Sequence, residues 1–331
     1  MQFLSDNAAP VHPRLWEAIR AADAPDTPYD TDALSREMDA RFTTLFGREC
    51  AALWVATGTA ANCLALATMV DPHGGVVCHE EAHIEMDECG APGFYLHGAK
   101  LLLAEGEGAK LTSGAIEKVL SGITRGVHQV PAQAISITQA SEYGLCYRPG
   151  ELAKIGDLAR QHGLGLHMDG ARFANACAFL GGSTAEAAGD IEALSFGCVK
   201  NGGMGAEAVV LFDTEKAEML RYRRKRAGHL QSKGRFLAAQ ILAMLEDDLW
   251  LNNARAANAA AAIIAEGAGE RLVYPAEINE LFVRMSASER AALRDQGFSF
   301  YDWDESCIRL VTHWATDPDH AQALGKAIAS V

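Results

Sequence analysis

The sequence predicts an α/β protein: a large domain with a mostly parallel central sheet covered by helices, followed by a smaller α+β domain. Three observations carry this prediction. Short apolar runs of strand length alternate with amphipathic helical stretches from about residue 34 to residue 212, a long alanine-rich helical stretch runs from about Phe236 to Ala265, and beyond about residue 270 short strand candidates flank a helix. Alternating strands and helices are the signature of crossover connections, which place ligands outside the carboxyl ends of the strands. The division is set at residues 1-250 for the large domain with its amino-terminal arm and 251-331 for the small one.

The elements follow in order. Residues 1-30 carry Pro10, Pro13, Pro25 and Pro28 and read as an irregular arm on the surface or on another subunit. Leu34, Met38, Phe42 and Leu45 recur at helical spacing and put one apolar stripe against a core. Ala51 to Val55 is a strand that ends at Thr57-Gly58-Thr59, and Ala60 to Met69 reads as helix. Such a junction offers free backbone N–H groups and a positive helix end, so it suits a phosphate as well as an ordinary capped helix. Strands follow at 75-78, 100-103 and 134-138, with a helix from about Thr112 to Leu120 and a polar, histidine-containing segment at 79-90. Pro149 opens a further helix that Gly163 closes. Gly165 to Arg172 is an apolar strand whose end carries Asp169 and Arg172, and Leu194 to Phe196 is a strand that breaks at Lys200 among glycines. Ala208 to Phe212 continues the sheet; strands at 280-283 and 307-311 belong to the small domain. No Gly-x-Gly-x-x-Gly follows the first strand, so the dinucleotide fingerprint is absent.

Composition narrows the function. At 331 residues with 49% hydrophobic content, the chain can bury a large core. A net charge of −14 disfavours nucleic acid. The one basic cluster, Arg221 to Arg226, reads either as a solvated helix end or as a local anion site. Eight cysteines lack any Cys-x-x-Cys pair, which points to reduced core residues in a cytoplasmic protein with no metal site. No apolar run reaches the ~18 residues of a membrane span, and the amino terminus has no export signal.

Lys200 is the residue around which the chemistry gathers. Burial among apolar residues and glycines would lower its pKa and make the amine nucleophilic. A phosphate-type turn at Gly58-Thr59, an acid at a strand end at Asp169 and a lysine after the next strand are together what pyridoxal 5'-phosphate requires. Its aldehyde takes an amine, its pyridine nitrogen takes a carboxylate, and its phosphate takes N–H donors.

With those residues in view, the chain resembles the low-specificity L-threonine aldolases, pyridoxal-phosphate enzymes of the aspartate-aminotransferase fold type (fold type I). The resemblance covers nearly the whole sequence. It is carried by Ser5-Asp6, Thr57 to Asn62, Ala82-His83-Ile84, His167 to Arg172, Ser195 to Lys200 and Ile308 to His313. It implies Lys200 as the Schiff-base lysine, Asp169 as the pyridinium partner, Gly58 and Thr59 at the phosphate, and His83 stacked on the ring. It also implies His128 near the substrate hydroxyl, and Arg172 and Arg309, helped by Ser5, as the clamp on the substrate carboxylate.

Fixing the carboxylate decides which bond at Cα stands perpendicular to the conjugated ring and breaks. The expected reaction is cleavage of L-threonine, L-allo-threonine and related β-hydroxy-α-amino acids, phenylserine among them, to glycine and an aldehyde. His83 or His128, directly or through water, is the expected base. Alternatives are a β-eliminating lyase on the same fold and a binding protein without turnover. Two departures bear on substrate choice: Gln139-Ala140-Ser141-Glu142-Tyr143 replaces a Glu-Asn-Thr-His-like segment, and Tyr29-Asp30-Thr31-Asp32 replaces a Tyr-Gly-Asp-Asp-like one. Tyr29 and a cation from residues 221-233 are expected to cross a subunit boundary, which implies a homo-oligomer, a tetramer by family resemblance.

Overall fold

A computed structural model describes residues 1–331. Seven strands form the central sheet: β1 (Ala51–Val55), β2 (Gly75–His79), β3 (Lys100–Ala104), β4 (Ala132–Thr138), β5 (Gly165–Gly170), β6 (Ala193–Phe196) and β7 (Glu207–Leu211), in the order β1-β7-β6-β5-β4-β2-β3. β3, β2, β4, β5 and β6 pair in parallel, while β7 runs antiparallel to both β6 and β1. β7 alone is reversed. The carboxyl ends of the other strands therefore share one edge of the sheet, and the reversed strand brings its amino end, Glu207, to that same edge.

Alternation along the strands sorts side chains onto two faces. Ala52, Trp54, Leu194, Phe196, Ala208 and Val210 belong to the larger core, beneath Phe42, Phe173 and Trp250. Ala51, Leu53, Val55, Val209 and Leu211 join the opposite layer, beneath the helix Gly58–Leu66. That helix is buried from Ala60 to Leu66, so its amino end is pinned against the sheet edge. The sequence reading of the sheet holds strand by strand.

Two elements differ from it. The arm is helical over Pro13–Ala21, because Pro13 is preset for a first helical turn and His12 Nδ1 accepts the N–H of Arg14 at 3.3 Å. The alanine-rich stretch is two helices, Arg235–Leu245 and Leu249–Ala268, broken where Asp247 and Asp248 take φ of 50° and 54°. Aspartate tolerates that left-handed region better than most residues. The second helix serves both parts of the protein: Trp250 and Ala254 enter the large core, and Ala260, Ala261 and Ile264 enter the small one. The small part is a three-stranded antiparallel sheet of β8 (Glu280–Arg284), β10 (Cys307–Val311) and β9 (Tyr301–Asp302), with helices Ala287–Asp295 and Pro318–Ser330. Phe3 of the arm is buried in its core, and the Phe3 N–H donates to Ser299 O at 2.8 Å.

All eight cysteines are free thiols, seven of them buried and Cys89 exposed. No helix is long and apolar enough to cross a membrane.

Candidate active site

A cavity of about 300 Å³ opens at the shared sheet edge, lined by Gly58, Thr59, Asn62, His83, Asp169 and Lys200 among others. Asp169 lies at a strand end, and the others follow one: Gly58, Thr59 and Asn62 on the helix after β1, His83 after β2 and Lys200 after β6. β1 runs into Thr57, whose hydroxyl accepts the N–H of Ala60 at 3.1 Å and caps the helix. The Gly58 and Thr59 N–H groups, in the first turn, have no intrahelical acceptor, and both residues line the cavity. β5 delivers Asp169, buried, with Oδ2 accepting from Asn62 Nδ2 at 2.7 Å and Oδ1 from the Ala171 N–H at 2.9 Å. β6 delivers Lys200 on a short 3-10 turn closed by Gly202 at φ 105°. Gly197 permits the approach of two strand ends, since a Cβ there would meet Ala171 O at 2.5 Å.

Beneath the cavity, His167 is fully buried between Ser136 Oγ at 2.9 Å and Ser195 Oγ at 3.0 Å. Desolvation pushes its pKa down to about 4, so the imidazole stays neutral below Asp169. Glu207 receives the N–H groups of Cys198 and Val199, and burial pushes its carboxyl up to about 7.

Sequence reasoning missed Glu88. It is buried, yet its Oε1 lies 2.9 Å from His83 Nδ1 and accepts from Asn62 Nδ2 at 2.9 Å. The hydrogen bond to Glu88 raises the His83 pKa, against the opposing effect of burial. One amide thus ties the carboxylate under the imidazole to the carboxylate of Asp169. Ligand atoms of His83, Glu88 and Asp169 lie within 4.8 Å of one another. The Asn62 amide donates to both carboxylates, so the three side chains are joined by hydrogen bonds. Glu88 sits in an acidic stretch that looks solvated in one dimension, so no local signal marks it.

The family model described as beta-eliminating lyase matches residues 2–288. The chain belongs to that family. It is 40% identical to the low specificity L-threonine aldolase of Pseudomonas aeruginosa, over 100% of this chain and 97% of the relative. The solved threonine aldolase of Leishmania major superposes with a TM-score of 0.93 at 27% identity, covering 99% of this chain and 98% of that one. The protein SPT, solved with PLP, shares the fold with a TM-score of 0.70 at 17% identity, covering 100% of this chain and 87% of that one. The architecture is that of the fold type I enzymes.

In this member of the family, the expected site residues divide. Lys200, Asp169, Gly58, Thr59 and His83 converge on one cavity. Arg172 does not line it. Its guanidinium is buried and committed, with Nε 2.8 Å and Nη2 3.2 Å from the Asp6 carboxylate and Nη1 3.2 Å from Glu280 Oε2. Asp6 is held below the usual carboxylate range by Arg172 and Lys200, in spite of its burial. Arg309 also reaches Glu280, but through Nε alone, so its two Nη groups are free. Arg309 and Ser5 do not line the cavity either. Arg172 links the arm to the small sheet through Asp6 and Glu280, while the two Nη groups of Arg309 have no partner within the protein. Ser5 precedes Asp6 on the arm, its Oγ accepting the Asn7 N–H at 3.1 Å.

His128 is likewise displaced. It is exposed on the turn Gly126–His128, before the amino end of β4, whereas the cavity lies beyond that strand's carboxyl end. A seven-residue strand separates them by roughly 20 Å. Tyr29 is exposed at φ 64°, bridged to Lys233 with Lys225 over its ring at 4.8 Å, and does not line the cavity. The basic cluster is not uniform: Arg224 is buried against Trp54 at 4.5 Å and paired with Asp30, while Arg221 and Lys225 are exposed.

Proposed function

We propose that this protein is a carbon–carbon lyase of the threonine aldolase type, cleaving L-threonine, L-allo-threonine and related β-hydroxy-α-amino acids to glycine and an aldehyde with pyridoxal 5'-phosphate as cofactor. The observation that carries the reading is the convergence of unpaired helix N–H groups, a buried carboxylate and a lysine amine on one cavity. That donor set fits the cofactor at each of its three ends: Gly58 and Thr59 for the phosphate, Asp169 for the pyridine nitrogen, Lys200 for the aldehyde. Bound there, the cofactor supplies an electron-withdrawing ring that accepts negative charge developing at Cα.

The chain's own groups supply the rest. Asp169, held in place by Asn62 and the Ala171 N–H, presents its carboxyl group at the inner wall. Arg309 and Ser5 orient the substrate carboxylate, which sets the bond that breaks. His83, tethered by Glu88, offers Nε2 to the cavity. The exposed positions of His128 and Tyr29 support a homotetramer in which they face a neighbouring copy's cavity, and the reduced thiols support a cytoplasmic setting.

The test is product analysis on the four threonine stereoisomers and phenylserine with cofactor-loaded protein. Acetaldehyde and glycine from threonine are the expected products; ammonia and 2-oxobutanoate alone would replace the aldolase reading with β-elimination. Borohydride reduction followed by peptide mass analysis should place pyridoxyl phosphate on Lys200, and an unmodified Lys200 would end the covalent assignment.

A further inference from the structure

We propose that Glu142 is a catalytic base of this protein, taking the proton from the β-hydroxyl of the substrate. The inference rests on the aldolase reading above and assigns a role within it. Every other carboxylate around the cavity is already spoken for. Asp169 is held by Asn62 and the Ala171 N–H. Glu88 is held by Asn62 and His83. Asp6 is bound by Arg172 and Asn279, Glu280 by Arg172 and Arg309, and Glu207 by two backbone N–H groups. Glu142 accepts one hydrogen bond only, to Oε1 from the His83 N–H at 3.2 Å. Oε2 is left open.

Its position is built rather than incidental. Thr138 pairs in register with Asp169, and the Gln139 N–H donates to Asp169 O at 2.8 Å, so the segment leaves β4 beside that acid. Ser141 Oγ donates to Gly108 O at 2.7 Å, its N–H to Leu145 O at 2.8 Å, and Gly144 turns the chain at φ 74°. Tyr143 packs on Tyr274 and Phe282, each at 5.1 Å between ring centroids. Glu142 is thereby held on a rigid turn next to His83, as a reacting group must be.

The charges facing it are Asp169 from β5, Glu280 from β8, Lys200 after β6, His83 from the segment after β2, and Arg172 after β5. Burial, with Asp169 adding to it, pushes the Glu142 carboxyl up to about 7, opposed by Lys200 and His83. A base near neutrality has the proton affinity that general-base catalysis favours. Glu88 raises the proton affinity of His83, so at a given pH less of the imidazole is unprotonated and available as a base.

The step balances as follows. Glu142 takes the hydroxyl proton, the O–H pair becomes the second bond of the aldehyde carbonyl, the Cα–Cβ bond breaks, and its electron pair remains with Cα. A proton returned to Cα gives glycine, so no oxidant or reductant is required.

Glu142→Gln tests this, since the amide keeps an oxygen for the His83 N–H. Its kcat for threonine cleavage should fall by about 10²- to 10⁴-fold. The rise of the wild-type rate with pH through about 7 should vanish in the variant. Exchange of the α-proton of glycine, which involves no hydroxyl, and the visible absorbance of the bound cofactor should stay within a few-fold of wild type. Glu142→Asp should recover at least tenfold of the loss. Cleavage within tenfold of wild type with an unchanged pH profile overturns the proposal, as does an equal loss of glycine exchange. Wild-type protein that yields no aldehyde from any β-hydroxy-α-amino acid overturns the aldolase reading instead.

Discussion

Replacing Glu88 by Gln removes a charge from under His83 while keeping the shape of the side chain. In the native protein, Glu88 Oε1 is shared between the Asn62 amide and His83 Nδ1, both at 2.9 Å, and the carboxylate is excluded from solvent while the imidazole is about one-third exposed. A hydrogen bond to a charged group contributes about 1.5–3 kcal/mol net. Losing it lowers the His83 pKa, because the charged imidazolium is what the carboxylate stabilises. Asp169 and Glu142 also raise that pKa and remain in place, which limits the fall. The sign follows from the charged form: imidazolium is stabilised by Glu88, so without that charge His83 gives up its proton at a lower pH. Histidine-labelled protein titrated by NMR, with the His83 signal assigned from a His83→Gln spectrum, reads the shift directly. A His83 signal that titrates at the same pH in both proteins would refute the coupling and with it the division of labour between His83 and Glu142.

Other consequences are testable alongside. Arg172→Ala should destabilise the protein by about 3–5 kcal/mol in urea unfolding, because Asp6 and Glu280 would stay buried without their partner; normal stability with lost substrate binding would restore Arg172 to the clamp. Arg309→Ala should raise KM at least tenfold and lower the unfolding midpoint less than Arg172→Ala does, since Glu280 keeps Arg172 and Asp6 is untouched; an unchanged KM would remove it from the clamp. His167, with a pKa of about 4 in the fold and near 6.5 when unfolded, contributes stability that is complete above pH 6.5 and lost as pH falls toward 4, on the order of 3 kcal/mol. His167→Gln should lack that part of the slope, and parallel pH–stability curves would contradict it. Gly197→Ala should cost about 1–3 kcal/mol and weaken cofactor uptake, since the new methyl meets the Ala171 backbone; unaltered uptake measured by absorbance would show that the strand ends can part.

The alternating α/β architecture, the small second core and the trio of Gly58-Thr59, Asp169 and Lys200 were all legible in the linear chain. Each depends on local pattern: period-two burial, helical spacing, or a short motif at a strand end, and local pattern survives in one dimension. Which charged groups meet was not legible there and came from the folded arrangement. Arg172 is taken by Asp6 from the arm and Glu280 from the small sheet, and Glu88 lies under His83 rather than in solvent. Strand direction put His128 at the far end of β4 while bringing Glu142, at the near end, beside Asp169. A charge in a sequence carries no record of its distant partner, because burial and pairing are set by how the sheet orders its strands, and the same carboxylate is a solvated surface group or a base according to that order.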